Sequence, residues 1–160
     1  MGQLNGSEIL AKALKREGVE ELFFLMGGPM LTAEAATIQE GIRCIDVRHE
    51  QAAAMMAQAY SRLRQKPGFC MAASGPATIN LSTGLANALI DCCPVVALGG
   101  ASPMLGNGKQ VFQEIDQMEI MSGCVKYAAR IYDARRIPEM LNVAIQKAMS
   151  GKPGPVYLDL

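Results

Sequence analysis

The chain has 160 residues, half of them hydrophobic, which fits one globular domain burying roughly 70% of the surface its unfolded form exposes. Lys plus Arg and Asp plus Glu both number 15, so the formal net charge is zero and no basic field exists to gather nucleic acid or anionic lipid. No apolar run approaches the roughly 20 residues of a membrane-spanning helix, and the first residues lack a basic-then-apolar leader; a soluble, cytoplasmic protein with a small-molecule or protein partner is expected.

Residues 7–17 place Ile9, Leu10, Ala13 and Leu14 at helical spacing, with Ser7 available to cap the start and Gly18 to stop it. The run ELFFLM ends at Gly27-Gly28-Pro29, and residues 30–40 then read as helix up to Gly41. The same grammar recurs in IRCIDV with a helix over about 49–64, and in GFCMAA with a Ser74-Gly75-Pro76 turn and one helix to about Ile90. PVVALGG is the next strand. Residues 101–117 are rich in turn formers and long for a strand-to-helix loop, the kind of segment that often has a functional role.

A short helix over 116–122, a strand over 125–131, a helix over about 135–150 and a last strand VYLDL complete the series. The long helix puts Ile137, Met140, Leu141, Ala144, Ile145 and Ala148 on one face. The strand runs are continuously apolar rather than alternating, the pattern of parallel strands covered on both sides. The expected fold class is α/β: a three-layer α/β/α sandwich around a mainly parallel, about six-stranded sheet, with residues 1–160 as a single domain. Cys44, Cys70, Cys92, Cys93 and Cys124 are odd in number and form no CxxC pair, so buried free thiols are expected. Eleven methionines and no tryptophan suggest an adaptable core or contact surface.

Open parallel sheets bind ligands outside the carboxyl ends of their strands. The turns there are Gly27-Gly28-Pro29, His49-Glu50-Gln51, Ser74-Gly75-Pro76 and Gly99-Gly100-Ala101, with Phe112-Gln113-Glu114 nearby. Glu50 has two readings. An acid in the first turn of a helix is ordinary, stabilised by the helix end by roughly 0.3 to 1 kcal/mol. Its small apolar neighbours, AAAMM, would also desolvate the carboxyl group, which suits proton exchange. Gly27-Gly28 lacks the GxGxxG and GxxxxGK[ST] patterns and reads as a tight turn needing positive φ. Ser74 lacks GxSxG. His49 has no partner at ligand spacing, so no metal site is expected and a hydrogen-bonding role at the strand end is.

Taken in order, IDVRHEQAAAMMAQAYSR, KPGFCMAASGPATINLSTGLANA, CCPVVALGG, VFQEIDQ and SGKPGPVYLDL resemble the N-terminal, pyrimidine-binding domain of thiamine diphosphate enzymes, in the acetolactate synthase and 2-hydroxyacyl-CoA lyase branch. The resemblance covers nearly the whole chain. In that family the glutamate of the RHE motif hydrogen-bonds N1′ of the aminopyrimidine, and proton exchange there leads to loss of the thiazolium C2 proton; the resemblance implies this catalytic role for Glu50. It also implies that Gly27, Gly28 and Pro76 line the cofactor pocket. Asn80 matches the asparagine ending the family's SGPGATN-like run, and Phe112 and Gln113 match an FQE loop near the reacting centre. The chain departs from the family pattern at Phe24 and Met26, where many relatives have Gly and Pro, and at Ala77-Thr78-Ile79, which replaces Gly-Ala-Thr.

Relatives of this kind hold the diphosphate through Mg²⁺ on a separate domain bearing GDG followed by Asn-Asn, and nothing in this chain matches that pattern. The resemblance therefore implies half of a cofactor site, with the middle and diphosphate-binding domains absent from this chain. The implied partner is the diphosphate-binding domain of another subunit or chain, in a homo-oligomer acting on a small 2-oxoacid or 2-hydroxyacyl substrate, and the isolated chain is expected to be inactive. The alternative is a non-catalytic binding or assembly module of the same fold.

Overall fold

The structure is a computed structural model that describes residues 4–160. Its elements follow in the order α1 (Gly6–Arg16), β1 (Glu21–Phe24), α2 (Leu31–Gln39), β2 (Arg43–Asp46), α3 (Glu50–Arg64), β3 (Gly68–Ser74), α4 (Pro76–Ile79), α5 (Ser82–Ile90) and β4 (Val95–Gly100). Then come α6 (Gln117–Ser122), β5 (Tyr127–Arg130), α7 (Ile137–Met149) and β6 (Val156–Asp159). The six strands form one sheet in the order β2-β1-β3-β4-β6-β5, every pair parallel.

Two cores cover the two faces, and the strands divide their side chains between them by the two-residue period of the pleat. Leu22 and Phe24 of β1, Met71 of β3, Leu98 of β4 and Leu158 of β6 pack under α1, α2 and α7. Phe23, Cys70, Ala72, Val95 and Tyr157 point the other way, under α3, α5 and α6. Both faces being buried explains why the runs are apolar without a break. The long helix buries Ile137, Leu141, Ala144 and Ala148, four of the six residues expected on its inner face.

Several local expectations change. Asn5, not Ser7, caps α1: its side chain accepts from the Glu8 amide at 3.0 Å while the Glu8 carboxylate accepts from the Asn5 amide at 2.8 Å, a reciprocal capping box. Ser7 instead hydrogen-bonds Thr32 at the start of α2. The helix expected after the Ser74-Gly75-Pro76 turn, to about Ile90, is two helices, α4 and α5, with a turn at Asn80-Leu81 where the Leu81 amide bonds back to Thr78 in a tighter step. Only Cys70 and Cys93 are buried; Cys44, Cys92 and Cys124 are partly exposed, and all five thiols are free. Burial pushes the Cys70 thiol up to about 12, which keeps it protonated and unreactive at neutral pH.

Candidate active site

The strand order reverses at β1, since β2 lies on one side of it and β3 on the other, so the crevice at their carboxyl ends is where a ligand is expected. Gly27 stands at this crevice with φ −159° and ψ 151°, extended backbone rather than the positive-φ turn expected from sequence. Glycine is needed there for another reason. A Cβ would sit 2.3 Å from that of Ala73, so only a bare Cα lets the end of β1 close onto the end of β3. Gly28 is exposed and faces open space.

Glu50 opens α3. His49 caps the helix, its Nδ1 accepting from the Gln51 amide at 3.2 Å, in keeping with the hydrogen-bonding role expected of it. Glu50 itself is only 7% exposed. One carboxylate oxygen, Oε2, accepts a hydrogen bond from the Asn80 side-chain amide at 2.9 Å. The other, Oε1, makes no hydrogen bond among the described residues and is not sealed from the surface. Held at one oxygen and open at the other, on the positive end of a helix, the group can exchange a proton with a polar atom brought against it. Asn80 reaches Glu50 because α4 ends there: the side chain projects from the turn between α4 and α5.

The Ser74-Gly75-Pro76 turn is pinned from below. Ser74 Oγ donates to Gln113 Oε1 at 3.0 Å. Gly75 takes φ +53° and ψ −116°, and a Cβ on it would lie 2.1 Å from the Gln113 carbonyl oxygen, so both conformation and space demand glycine. Its amide donates to Gln117 Oε1 at 2.7 Å. Gln117 Nε2 in turn donates to the Gly100 carbonyl at 2.8 Å, to the Tyr157 hydroxyl at 2.9 Å and to Asp159. Asp159 also accepts from the Tyr157 hydroxyl and from Arg130 Nε. Burial and the Asp159 charge raise the Tyr157 phenol far above its usual range. For Arg130, burial works to lower the guanidinium, but its bond to Asp159 prevails and holds it above the ordinary value.

A cleft of about 650 Å³ opens over the strand ends, lined by Pro29, Ser74, Met104, Phe112, Arg130 and Leu160 among others. A smaller one of about 330 Å³ adjoins it and includes Gln113 and Gln117. The structure thus joins Glu50 to Asn80, sets Phe112 beside Ser74 on the cleft wall and ties Gln113 to Ser74. Gly27, Gly28, Glu50, Pro76 and Asn80 line none of the described clefts. Gln117, Tyr157, Asp159 and Arg130 were not singled out from sequence; the available signal was a polar residue inside an apolar strand, Asp159 in VYLDL. Among the described residues no group of three or more His, Cys, Asp or Glu is placed to hold a metal ion. No helix there is long and apolar enough to cross a membrane.

The fold is a parallel α/β sandwich with a buried acid near its switch point, and residues 4–120 match the family described as thiamine pyrophosphate enzyme, N-terminal TPP binding domain. The chain belongs to that family. It is 40% identical over 156 residues to the chloroplastic acetolactate synthase of Arabidopsis thaliana, an alignment covering 97% of this chain and 23% of that protein. It is 38% identical over 159 residues to the acetolactate synthase isozyme 2 large subunit of Escherichia coli (strain K12), covering 98% and 29%. It is 39% identical over 155 residues to 2-hydroxyacyl-CoA lyase 2 of Caenorhabditis elegans, covering 97% and 24%. The chain therefore spans about a quarter of the length of these curated relatives.

Proposed function

We propose that this chain provides the pyrimidine-binding half of a thiamine diphosphate site, in an enzyme that makes or cleaves the carbon–carbon bond next to a carbonyl. The observation behind this reading is Glu50, a nearly buried acid with Oε2 held by Asn80 and Oε1 left for an incoming group. Bound thiamine diphosphate supplies an electron sink for breaking or forming that bond. Glu50 would hold and exchange the proton at the aminopyrimidine N1′, and Asn80 would fix its carboxylate plane. Gly27, Gly28 and Pro76, at the ends of β1 and β3, would border the ring. Phe112, 78% exposed, and Gln113 would face the reacting centre across the cleft.

In this reading the diphosphate and its Mg²⁺ are held by the diphosphate-binding domain of another subunit or chain, within a homo-oligomer. The exposed methionines Met26, Met55 and Met56 suit such a contact, since an unbranched thioether adapts to its neighbour. The substrate would be a small 2-oxoacid or 2-hydroxyacyl compound, and the compartment cytoplasmic. The test is hydrogen–deuterium exchange at the cofactor C2 in an assembly containing this chain. Glu50→Gln is expected to slow exchange by about a hundredfold or more, the usual scale of a lost acid–base group. Unchanged exchange would rule out the role, and carbon–carbon turnover by the isolated chain would rule out the half-site.

A further inference from the structure

We propose that Gln117, backed by Asp159, is a positioning residue for Glu50, acting through the Gly75 turn and Asn80. The inference rests on the reading of Glu50 as the cofactor-facing acid and adds a residue to its support.

The chain of contacts has no gap. The Gln117 side chain is almost fully buried, 2% exposed, and its amide touches the carboxyl ends of β3, β4 and β6 at once. Its orientation is fixed by chemistry. The Asp159 carboxylate and the Gly100 carbonyl only accept, so the NH₂ must face them, which leaves the oxygen for the Gly75 amide. Asp159 is itself anchored by the buried Tyr157 hydroxyl and by the partly exposed Arg130. Gly75 is thereby held from two sides, by the Gln117 oxygen and by the Gln113 backbone against its bare Cα.

From Gly75 the connection to Glu50 is short and stiff. The Gly75 carbonyl accepts from the Ile79 amide and the Pro76 carbonyl from the Asn80 amide, both at 3.0 Å. A helix of four residues is about 6 Å long, so a shift of Gly75 is passed to Asn80 with little room to be absorbed. Asn80 then holds Glu50 Oε2 at 2.9 Å. A buried amide with a purely structural role would lower stability when lost; this one should also move Glu50.

The test uses Gln117→Met, which keeps the volume and removes both donor and acceptor, beside Gln58→Met as control. Gln58 is also buried, 6% exposed, and bonds Asp91 and Asn87, but has no hydrogen bond to the Gly75 turn. In NMR spectra of the 160-residue chain, Gln117→Met should shift the Gly75 amide, the Asn80 side-chain amide and the Glu50 carboxyl carbon, while Gln58→Met leaves all three in place. A folded Gln117→Met chain with Asn80 and Glu50 unmoved overturns the proposal. Should that variant not fold, amide exchange in the unaltered chain decides. Equal protection of Gly75, Ile79 and Asn80 supports one rigid unit, and protection differing by more than about tenfold overturns it. In the cofactor-loaded assembly, Gln117→Met should slow C2 exchange about tenfold or more without weakening cofactor affinity, as misplacement of an acid does. Absence of C2 exchange in the unaltered assembly would overturn the cofactor reading instead, and leaves the NMR result to stand or fall alone.

Discussion

Two acids are buried at the carboxyl edge of this sheet, and they are bonded in opposite ways. Asp159 is fully buried and has both oxygens taken, by Tyr157 and Gln117 on one side and Arg130 on the other. Glu50 is nearly as deep but has one oxygen taken and one left over. A carboxylate that is fully buried with both oxygens bonded has little to offer a ligand, and removing it strands partners. One with a spare oxygen is open to an incoming group, and its removal strands a single partner, Asn80. The contrast separates an acid closed within the fold from one left open to an incoming group.

The largest effect expected is from Asp159→Ala, which leaves Arg130 Nε and the Tyr157 hydroxyl without their acceptor and takes one of three acceptors from Gln117. It should cost about 3 kcal/mol or more in urea unfolding. A loss below about 1 kcal/mol would mean the two acids do not differ as described. Alkaline pH probes the closed side next. Burial raises the Cys70 thiol to about 12 and raises the Tyr157 phenol, so the unfolded chain releases these protons first. Stability is then complete below about pH 9 and falls as pH rises, first through the thiol window up to about 12 and from about 10 for the phenol. Cys70→Ala should flatten the lower part of this decline in thermal unfolding, and Tyr157→Phe the upper part. Tyr157→Phe at neutral pH should cost about 1 kcal/mol, one hydroxyl from a network that keeps its other members. Glu50→Gln should change stability least, by under about 1 kcal/mol, since Asn80 keeps an acceptor and only the charge at the helix end is lost.

The sheet was legible because its strands are uniform: ELFF, GFCMAA and PVVALGG could be placed from composition, as both faces are covered. The break between α4 and α5 was not. No glycine or proline marks Asn80-Leu81, and the turn exists because Leu81 is drawn into the core while Asn80 faces Glu50, both tertiary demands. Gly27 was legible as special but for the wrong reason, because a close approach to Ala73 and a positive φ leave the same residue in the sequence. Gln117 was invisible as a site residue. It closes the polar stretch FQEIDQ at the start of α6, and its partners Tyr157 and Asp159 follow 40 and 42 positions later. Glu50 stood out only through the motif around it.

An all-parallel sheet also dictates an order of assembly. Neighbouring strands share no hairpin, so each pair waits for a crossover, and β4 meets β6 through partners as distant as Val96 and Val156. As the chain leaves the ribosome, Glu50, Asn80 and Gly75 are all present long before Asp159. Until that residue arrives, Gln117 has only the Gly100 carbonyl to hold its amide, so the corner beneath the Gly75 turn closes only when β6 docks.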